Sequence, residues 1–222
     1  MQPQLTPFDG VLLVDKPAGL TSHDVVDRVR RHFGFKKVGH CGTLDPAATG
    51  LLVLVLGKAT RLSDRLMGHD KRYAGTMRLG IETASQDREG EVTATKDASH
   101  ITAADIERVV PHYVGELEQI PPMVSAVKIN GKPLYKLARK GQVVEREARK
   151  VTVYEFKITN IAIPDVDFEV ATSKGTYVRT LCADIGTELG VGAHLLALRR
   201  LKNIRHLCRN MLSNRSIKIK LP

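Results

Sequence analysis

Residues 39–50 read Gly-His-Cys-Gly-Thr-Leu-Asp-Pro-Ala-Ala-Thr-Gly, a run in which three glycines and a proline surround one carboxylate, Asp45. Glycine opens backbone conformations closed to other residues and proline fixes one, so such a loop can hold a side chain at a set angle. Pro46 also pushes Asp45 toward an extended backbone. An ionised carboxylate held this way suits nucleophilic or proton-accepting chemistry. Asp-Pro equally begins ordinary turns, and the dipeptide alone does not separate the two readings. The neighbouring His40-Cys41 pair offers less. Adjacent side chains usually diverge, which works against a thiolate–imidazole pair, and nothing nearby supplies the further ligands of a metal site. His40 is read as a hydrogen-bonding or packing residue and Cys41 as a small buried filler.

Two groups combining an aromatic with basic residues lie further along. Tyr73 follows Lys71-Arg72 at the start of an expected strand. It either stacks on a nucleobase, a contact contributing about 1–3 kcal/mol, or fills the core. Ser173-Lys-Gly-Thr-Tyr177-Val-Arg179 is a turn leading into a helix. Arg179 either pairs with a carboxylate such as Asp45, keeping it ionised, or sits on a solvated helix turn. Gly190-Val-Gly192 is no dinucleotide fingerprint, because no strand leads into it and no third glycine follows in register. The chain has no P-loop, no H-E-x-x-H and no catalytic-serine elbow.

The elements that must hold these residues follow from apolar pattern and breakers. Gly10–Val14 and Leu51–Leu56 read as buried strands on either side of a helix that Ser22 caps, Val25, Val26, Val29 and Phe33 face inward, and Gly34 stops. Residues 71–79 and 91–95 read as strands, and Thr102 with Asp105 opens a second helix. Pro121-Pro122 breaks the chain, Asn130-Gly131 signals a tight turn, and Lys132–Lys140 reads as a short helix that stops at Gly141. Val151–Ile163 and Val166–Thr172 read as strands, Tyr177–Leu189 and Ala193–Leu201 as helices. Hairpin-type connections outnumber β-α-β crossovers, which predicts an α+β fold on a mixed, largely antiparallel sheet.

A chain of 222 residues, 42% hydrophobic and 26% charged, can bury a substantial core. Its longest apolar run, Leu51–Leu56, is far too short to span a bilayer, and no N-terminal signal is evident, so a protein that stays where it is made is expected. Cys41, Cys182 and Cys208 are sparse and widely spaced, which argues for reduced thiols. The net charge of +10 is uneven: residues 199–222 hold eight Lys or Arg and no acid, leaving +2 for the rest. Residues 128–150 carry a local +6, whereas 82–118 hold nine acids and three bases. Clustered positive charge beside near-neutral surface suits a polyanion partner, although a solvated basic face has the same composition.

Taken together these segments resemble the bacterial tRNA pseudouridine-55 synthases of the TruB family. The resemblance runs in order through Val14-Asp-Lys-Pro-Ala-Gly-Leu-Thr-Ser22, Val38-Gly-His-Cys-Gly-Thr-Leu-Asp-Pro-Ala-Ala-Thr-Gly50 and Lys71-Arg-Tyr73. It continues through Ile120-Pro-Pro-Met-Val-Ser-Ala126, Lys174-Gly-Thr-Tyr-Val-Arg-Thr180 and Gly192-Ala-His-Leu-Leu-Ala-Leu-Arg-Arg200.

The resemblance implies the pseudouridine-synthase fold, a bent mixed central sheet flanked by helices and loops. It implies isomerisation of a flipped-out uridine at position 55, in the T-loop of tRNA, without a cofactor or metal. Asp45 matches the catalytic aspartate, Tyr73 the tyrosine that stacks on the base and relays a proton, and Arg179 the arginine paired with the aspartate. His40, Tyr73, Tyr177 and Leu198 match the substrate pocket, and Lys16 and Pro17 match a motif supporting the catalytic loop. The catalytic domain is expected over 1–201, with an RNA-contacting basic insertion at about 121–150. Family members usually continue into a PUA domain; here residues 202–222 read as a basic tail with no recognisable PUA domain. A cytoplasmic monomer acting on the tRNA T-stem-loop is the expectation.

Overall fold

The two apolar runs flanking the Asp45 segment become strands that pair with each other. The computed structural model describes residues 9–125, 127–129, 131–138, 140–203 and 218–220. In chain order the elements are β1 (Gly10–Lys16), α1 (Ser22–Phe33), β2 (Val38–His40), β3 (Thr49–Leu56), α2 (Ser63–Met67), β4 (Lys71–Leu79), β5 (Ile81–Thr83) and β6 (Val92–Thr95). There follow α3 (Ala103–Val109), β7 (Gly115–Gln119), β8 (Lys128–Ile129), β9 (Lys132–Pro133), α4 (Leu134–Ala138) and β10 (Arg149–Ala162). The last are β11 (Asp165–Thr172), α5 (Val178–Glu188), β12 (Ala193–Lys202) and β13 (Lys218–Lys220). Among the described residues no helix is long and apolar enough to cross a membrane.

The chain divides into two compact units, one built from residues up to Tyr73 and from Leu198 onward, the other from Ala74–Ala197. In the first, β1 runs antiparallel to β3 from Gly10 opposite Leu56 to Lys16 opposite Gly50. β2 pairs with the last residues of β3, β12 runs parallel to its first two, and β13 lies parallel to β1. Leu52–Leu56 are all buried, as a strand covered on both faces requires. Leu13, Cys41, Val53, Val55 and Leu66 form one core cluster there. α1 buries Val25, Val26 and Val29, each side chain stabilising the fold by about 1.5–3 kcal/mol relative to exposure, and ends at left-handed Gly34.

In the second unit the strand order is β12-β4-β11-β10-β7. β10 and β11 form a long antiparallel hairpin, and β7 adds antiparallel to β10. β11 alternates partly and fully buried residues along its length, and Phe156 packs on Phe168 with ring centroids 5.0 Å apart. β5–β6 and β8–β9 are two further antiparallel pairs, the second around the turn at Gly131. The architecture is therefore α+β on a mixed, largely antiparallel sheet, as the pattern predicts.

Two expectations fail. Ala193–Leu201 is the strand β12, not a helix. Its Ala and Leu content favours helix, but Gly190 and Gly192 adopt positive φ and turn the chain sharply back from α5. From Leu196 to Leu201 burial then alternates with period two, so pairing on the sheet overrides propensity. Ser22 is also not the cap of α1. Thr21 is, in a capping box with Asp24. The short helical segments over 57–67 were not anticipated, and β13 places a strand inside the expected tail, most of which lies outside the described residues.

Candidate active site

The loop between β2 and β3 carries Asp45, and buried side chains from three directions tie down its carbonyl oxygens. The first is Lys16 at the end of β1, with no exposed surface. Its Nζ donates to the carbonyls of Pro17 at 2.9 Å, Leu20 at 2.7 Å and Pro46 at 3.1 Å. One ammonium thus joins the turn after β1 to the residue following Asp45, and Gly19 N donates to the same Pro46 carbonyl at 2.9 Å. The second is Ser22, freed from capping by Thr21. Its buried hydroxyl accepts from Leu44 N at 2.8 Å and donates to Leu44 O at 3.2 Å, the residue before Asp45.

The third is Arg200 on β12, only 1% exposed. Its Nε donates to Leu51 O at 2.7 Å, Nη1 to Thr43 O at 3.3 Å and Nη2 to Gly42 O at 3.1 Å. Asn203 Nδ2 adds a bond to Cys41 O at 2.9 Å. Within the loop Ala48 N closes a turn on Asp45 O at 3.1 Å. Gly50 has φ +96°, and a Cβ there would lie 2.4 Å from Arg200 O, so only glycine allows this approach. A loop tied at both ends and in its middle holds Asp45, itself partly buried, against fluctuation.

Tyr73, at 7% exposure on β4, belongs to the same unit. Burial pushes its phenol pKa up; the Arg200 charge and a hydrogen bond from that guanidinium oppose this, and the Asp45 charge raises it further. A neutral phenol results. His40, on β2, is partly buried, and its Nδ1 finds no hydrogen-bond partner. Burial first, then the charges of His23 and Arg200, hold its pKa below the usual histidine value. Burial outweighs Arg200 and Lys71 at Cys41 and lifts that thiol to about 11, which makes it an inert filler rather than a nucleophile. Leu198 is half-buried beside the loop's exit, its carbonyl 3.4 Å from Thr49 Oγ1. Pro17 is partly buried in the turn that Lys16 holds.

The other two expected residues lie in the second unit. Arg179, 3% exposed near the start of α5, forms an ion pair with Asp87 Oδ2 at 3.3 Å and donates to Val124 O and Ser85 O. Its guanidinium carbon is 5.7 Å from the Tyr177 ring centroid. Buried Gln119 on β7 pins Tyr177, accepting from its N at 2.7 Å and donating to its O at 3.1 Å. The Asp87 loop is itself fixed: Ser85 Oγ donates to Asp87 Oδ1 at 2.5 Å, and Thr83 Oγ1 to Asp87 O at 2.7 Å.

Sequence reasoning does not find Ser22 as a loop support, nor Arg200, Asn203 or Gln119. The capping-box spacing from Thr21 to Asp24 was the available clue that Ser22 is free for another task. Arg200 is visible only once β12 is read with period two. Among the described residues no group of three or more His, Cys, Asp or Glu side chains is placed to hold a metal ion.

Comparison with known proteins adds an independent line. The model of the TruB family pseudouridylate synthase N-terminal domain matches residues 30–178. The chain is 52% identical over 196 residues to tRNA pseudouridine synthase B of Syntrophotalea carbinolica, covering 88% of this chain and 64% of that protein. It is 54% identical over 193 residues to the protein of that name from Opitutus terrae, covering 87% and 80%. A chain in the solved structure of a Cbf5–Nop10–Gar1 complex superposes with a TM-score of 0.70 at 33% identity, covering 95% of this chain and 52% of that one. A chain in the structure of an H/ACA RNP bound to a substrate RNA containing 2′-deoxyuridine gives 0.65 at 30% identity, covering 87% and 47%. The chain thus spans less than two thirds of the Syntrophotalea relative and about half of these structural neighbours. A family model that fits from α1 into α5, and better than half identity to a relative covered over four fifths of its length, agree: this chain belongs to the TruB family of pseudouridylate synthases.

Proposed function

We propose that the chain isomerises uridine to pseudouridine at position 55, in the T-loop of tRNA, with Asp45 as its essential carboxylate. The observation that carries this reading is the Asp45 loop, whose carbonyls are fixed by Lys16, Ser22 and Arg200 beside a buried, neutral Tyr73. The relatives named tRNA pseudouridine synthase B support the substrate. The reaction breaks the bond from C1′ to N1, turns the base, and forms a bond from C1′ to C5. C5 gives up its proton and N1 gains one, so nothing is oxidised and no atom is added. Such chemistry asks for no hydride carrier or metal. It needs an ionised carboxylate at the sugar, whether to add to C1′ or to take the C2′ proton, and a pocket that retains the freed base.

Tyr73 supplies a flat ring on which the everted base stacks, offsetting the few kcal/mol that leaving the helical stack costs, and a phenol to relay the proton. Arg179 enters on the family resemblance as the guanidinium that keeps the carboxylate ionised. His40, Tyr177 and Leu198 enter as groups that shape the pocket, and Lys16 with Pro17 as loop support. The basic insertion over 121–150 meets the RNA backbone, and the enzyme works as a cytoplasmic monomer. The test is release of tritium from C5-labelled uridine in a T-stem-loop transcript by the chain alone. Release matching the target uridine, unaffected by EDTA, is expected; no release, or release only with added proteins, contradicts the reading.

A further inference from the structure

Gln119 ends β7, where its main chain stands opposite Arg149 of β10. Pro121 and Pro122 follow and have no N–H to donate, so the strand goes no further. Gln119 is only 4% exposed, and both ends of its amide are used on one residue. Its Oε1 accepts from Tyr177 N at 2.7 Å and its Nε2 donates to Tyr177 O at 3.1 Å. Tyr177 is extended, with φ -99° and ψ 106°, which turns its N–H and C=O to the same side, as in a residue that pairs with a strand neighbour. The side-chain amide, which both donates and accepts, takes the place of that neighbour. Tyr177 is also the cap of α5, and its own side chain makes no capping bond, unlike Thr21 at α1 and Thr102 at α3. The anchor comes from another element instead. Further along the segment that Gln119 begins, Val124 O accepts from Arg179, whose guanidinium carbon lies 5.7 Å from the Tyr177 ring centroid.

We propose that Gln119 is a positioning residue for the reaction: its amide fixes the main chain of Tyr177 and thereby aims the Tyr177 ring. The assignment deepens the functional reading above and rests on it, since Tyr177 enters there as a group that shapes the pocket. An amide is required because it works in both directions at once. An ionised carboxylate in its place accepts from Tyr177 N but cannot donate to Tyr177 O. A methionine of similar length does neither, and both main-chain groups of Tyr177 lose this partner.

The experiment compares wild type, Gln119→Met, Gln119→Glu, Tyr177→Ala and the double variant Gln119→Met with Tyr177→Ala, in full-length chain. It measures single-turnover tritium release at saturating T-stem-loop RNA, RNA affinity, and the urea unfolding midpoint. Gln119→Met is expected to fold, to bind RNA within about threefold of wild type, and to lose about tenfold to a hundredfold in rate, as a misplaced group does. With the Tyr177 ring already gone, the same change should cost no more than about twofold in the Tyr177→Ala background. A purely structural role gives the same loss in both backgrounds instead. At about pH 6 the buried carboxyl of Gln119→Glu, held against a carbonyl, is protonated and donates as the amide does, so its rate should exceed that of Gln119→Met at least about fivefold. Should Gln119→Met unfold, Gln119→Asn, whose amide is one methylene too short, replaces it with the same expected signature. Equal losses in the two backgrounds, a wild-type rate in the folded variant, no advantage of Gln119→Glu, or unfolding of both Gln119→Met and Gln119→Asn would overturn the proposal. An inactive wild type would instead overturn the functional reading.

Discussion

The charged side chains that matter most here are spent on carbonyl oxygens of the backbone. Arg200 satisfies three of them on the two flanks of Asp45, and Lys16 satisfies Pro46 O together with Pro17 O and Leu20 O of the turn after β1, which stiffens the segment that carries Asp45. The Arg200 charge also adds to the effect of burial on His40 and opposes it at Tyr73. His40 is held neutral chiefly by burial, with His23 and Arg200 adding to the effect. The sign of its contribution to stability follows. Its folded pKa lies below the ordinary value of 6.5, so as pH falls below 6.5 the unfolded chain takes up a proton that the folded chain refuses. Stability is present above that value and is lost as pH falls toward the folded pKa. We predict that the urea midpoint drops between pH 7.5 and pH 5.5 by more in wild type than in His40→Gln. An equal drop in both proteins would show that His40 is not the group involved.

At the level of elements, α1 shows two adjacent hydroxyl residues doing different work. Thr21 closes the capping box with Asp24, while Ser22 is buried and bonds both polar groups of Leu44. Thr21→Ala is expected to cost about 1 kcal/mol of stability, the usual loss for a cap, and to leave turnover within about threefold. Ser22→Ala leaves buried backbone groups of Leu44 without their partner, so a cost of about 1–3 kcal/mol is expected together with at least about a tenfold loss in turnover. Urea unfolding and single-turnover rates check both, and equal effects on turnover would remove the role given to Ser22. Much of this level was legible in the sequence. The unbroken apolar run of β3, the left-handed glycine ending α1 and the glycine-bounded Asp45 loop all have composition signatures. β12 was not legible, because Ala-His-Leu-Leu-Ala-Leu-Arg-Arg is a good helix sequence and only pairing on the sheet makes it a strand. Arg200 was hidden with it. The partners it satisfies are main-chain carbonyls, which leave no mark in an amino-acid sequence.

For the whole molecule, net charge of +10 concentrated in two stretches predicts an RNA affinity that falls steeply with salt. Arg205, Arg209 and Arg215 lie outside the described residues, yet their charge belongs to the same account. Replacing all three with Gln should flatten the slope of log affinity against log salt by about two, since each lost phosphate contact removes roughly 0.7–0.9. An unchanged slope would show that the basic C-terminal stretch does not meet RNA. In the proposed function electrostatic attraction is assigned to RNA binding and chemistry to a single carboxylate. Replacing that carboxylate by its neutral isostere, Asp45→Asn, isolates the two, read as tritium release and RNA binding on the same T-stem-loop transcript. Asp45→Asn is expected to fold, to bind within about threefold of wild type and to turn over at least about a thousandfold more slowly. Turnover within about tenfold of wild type would contradict it.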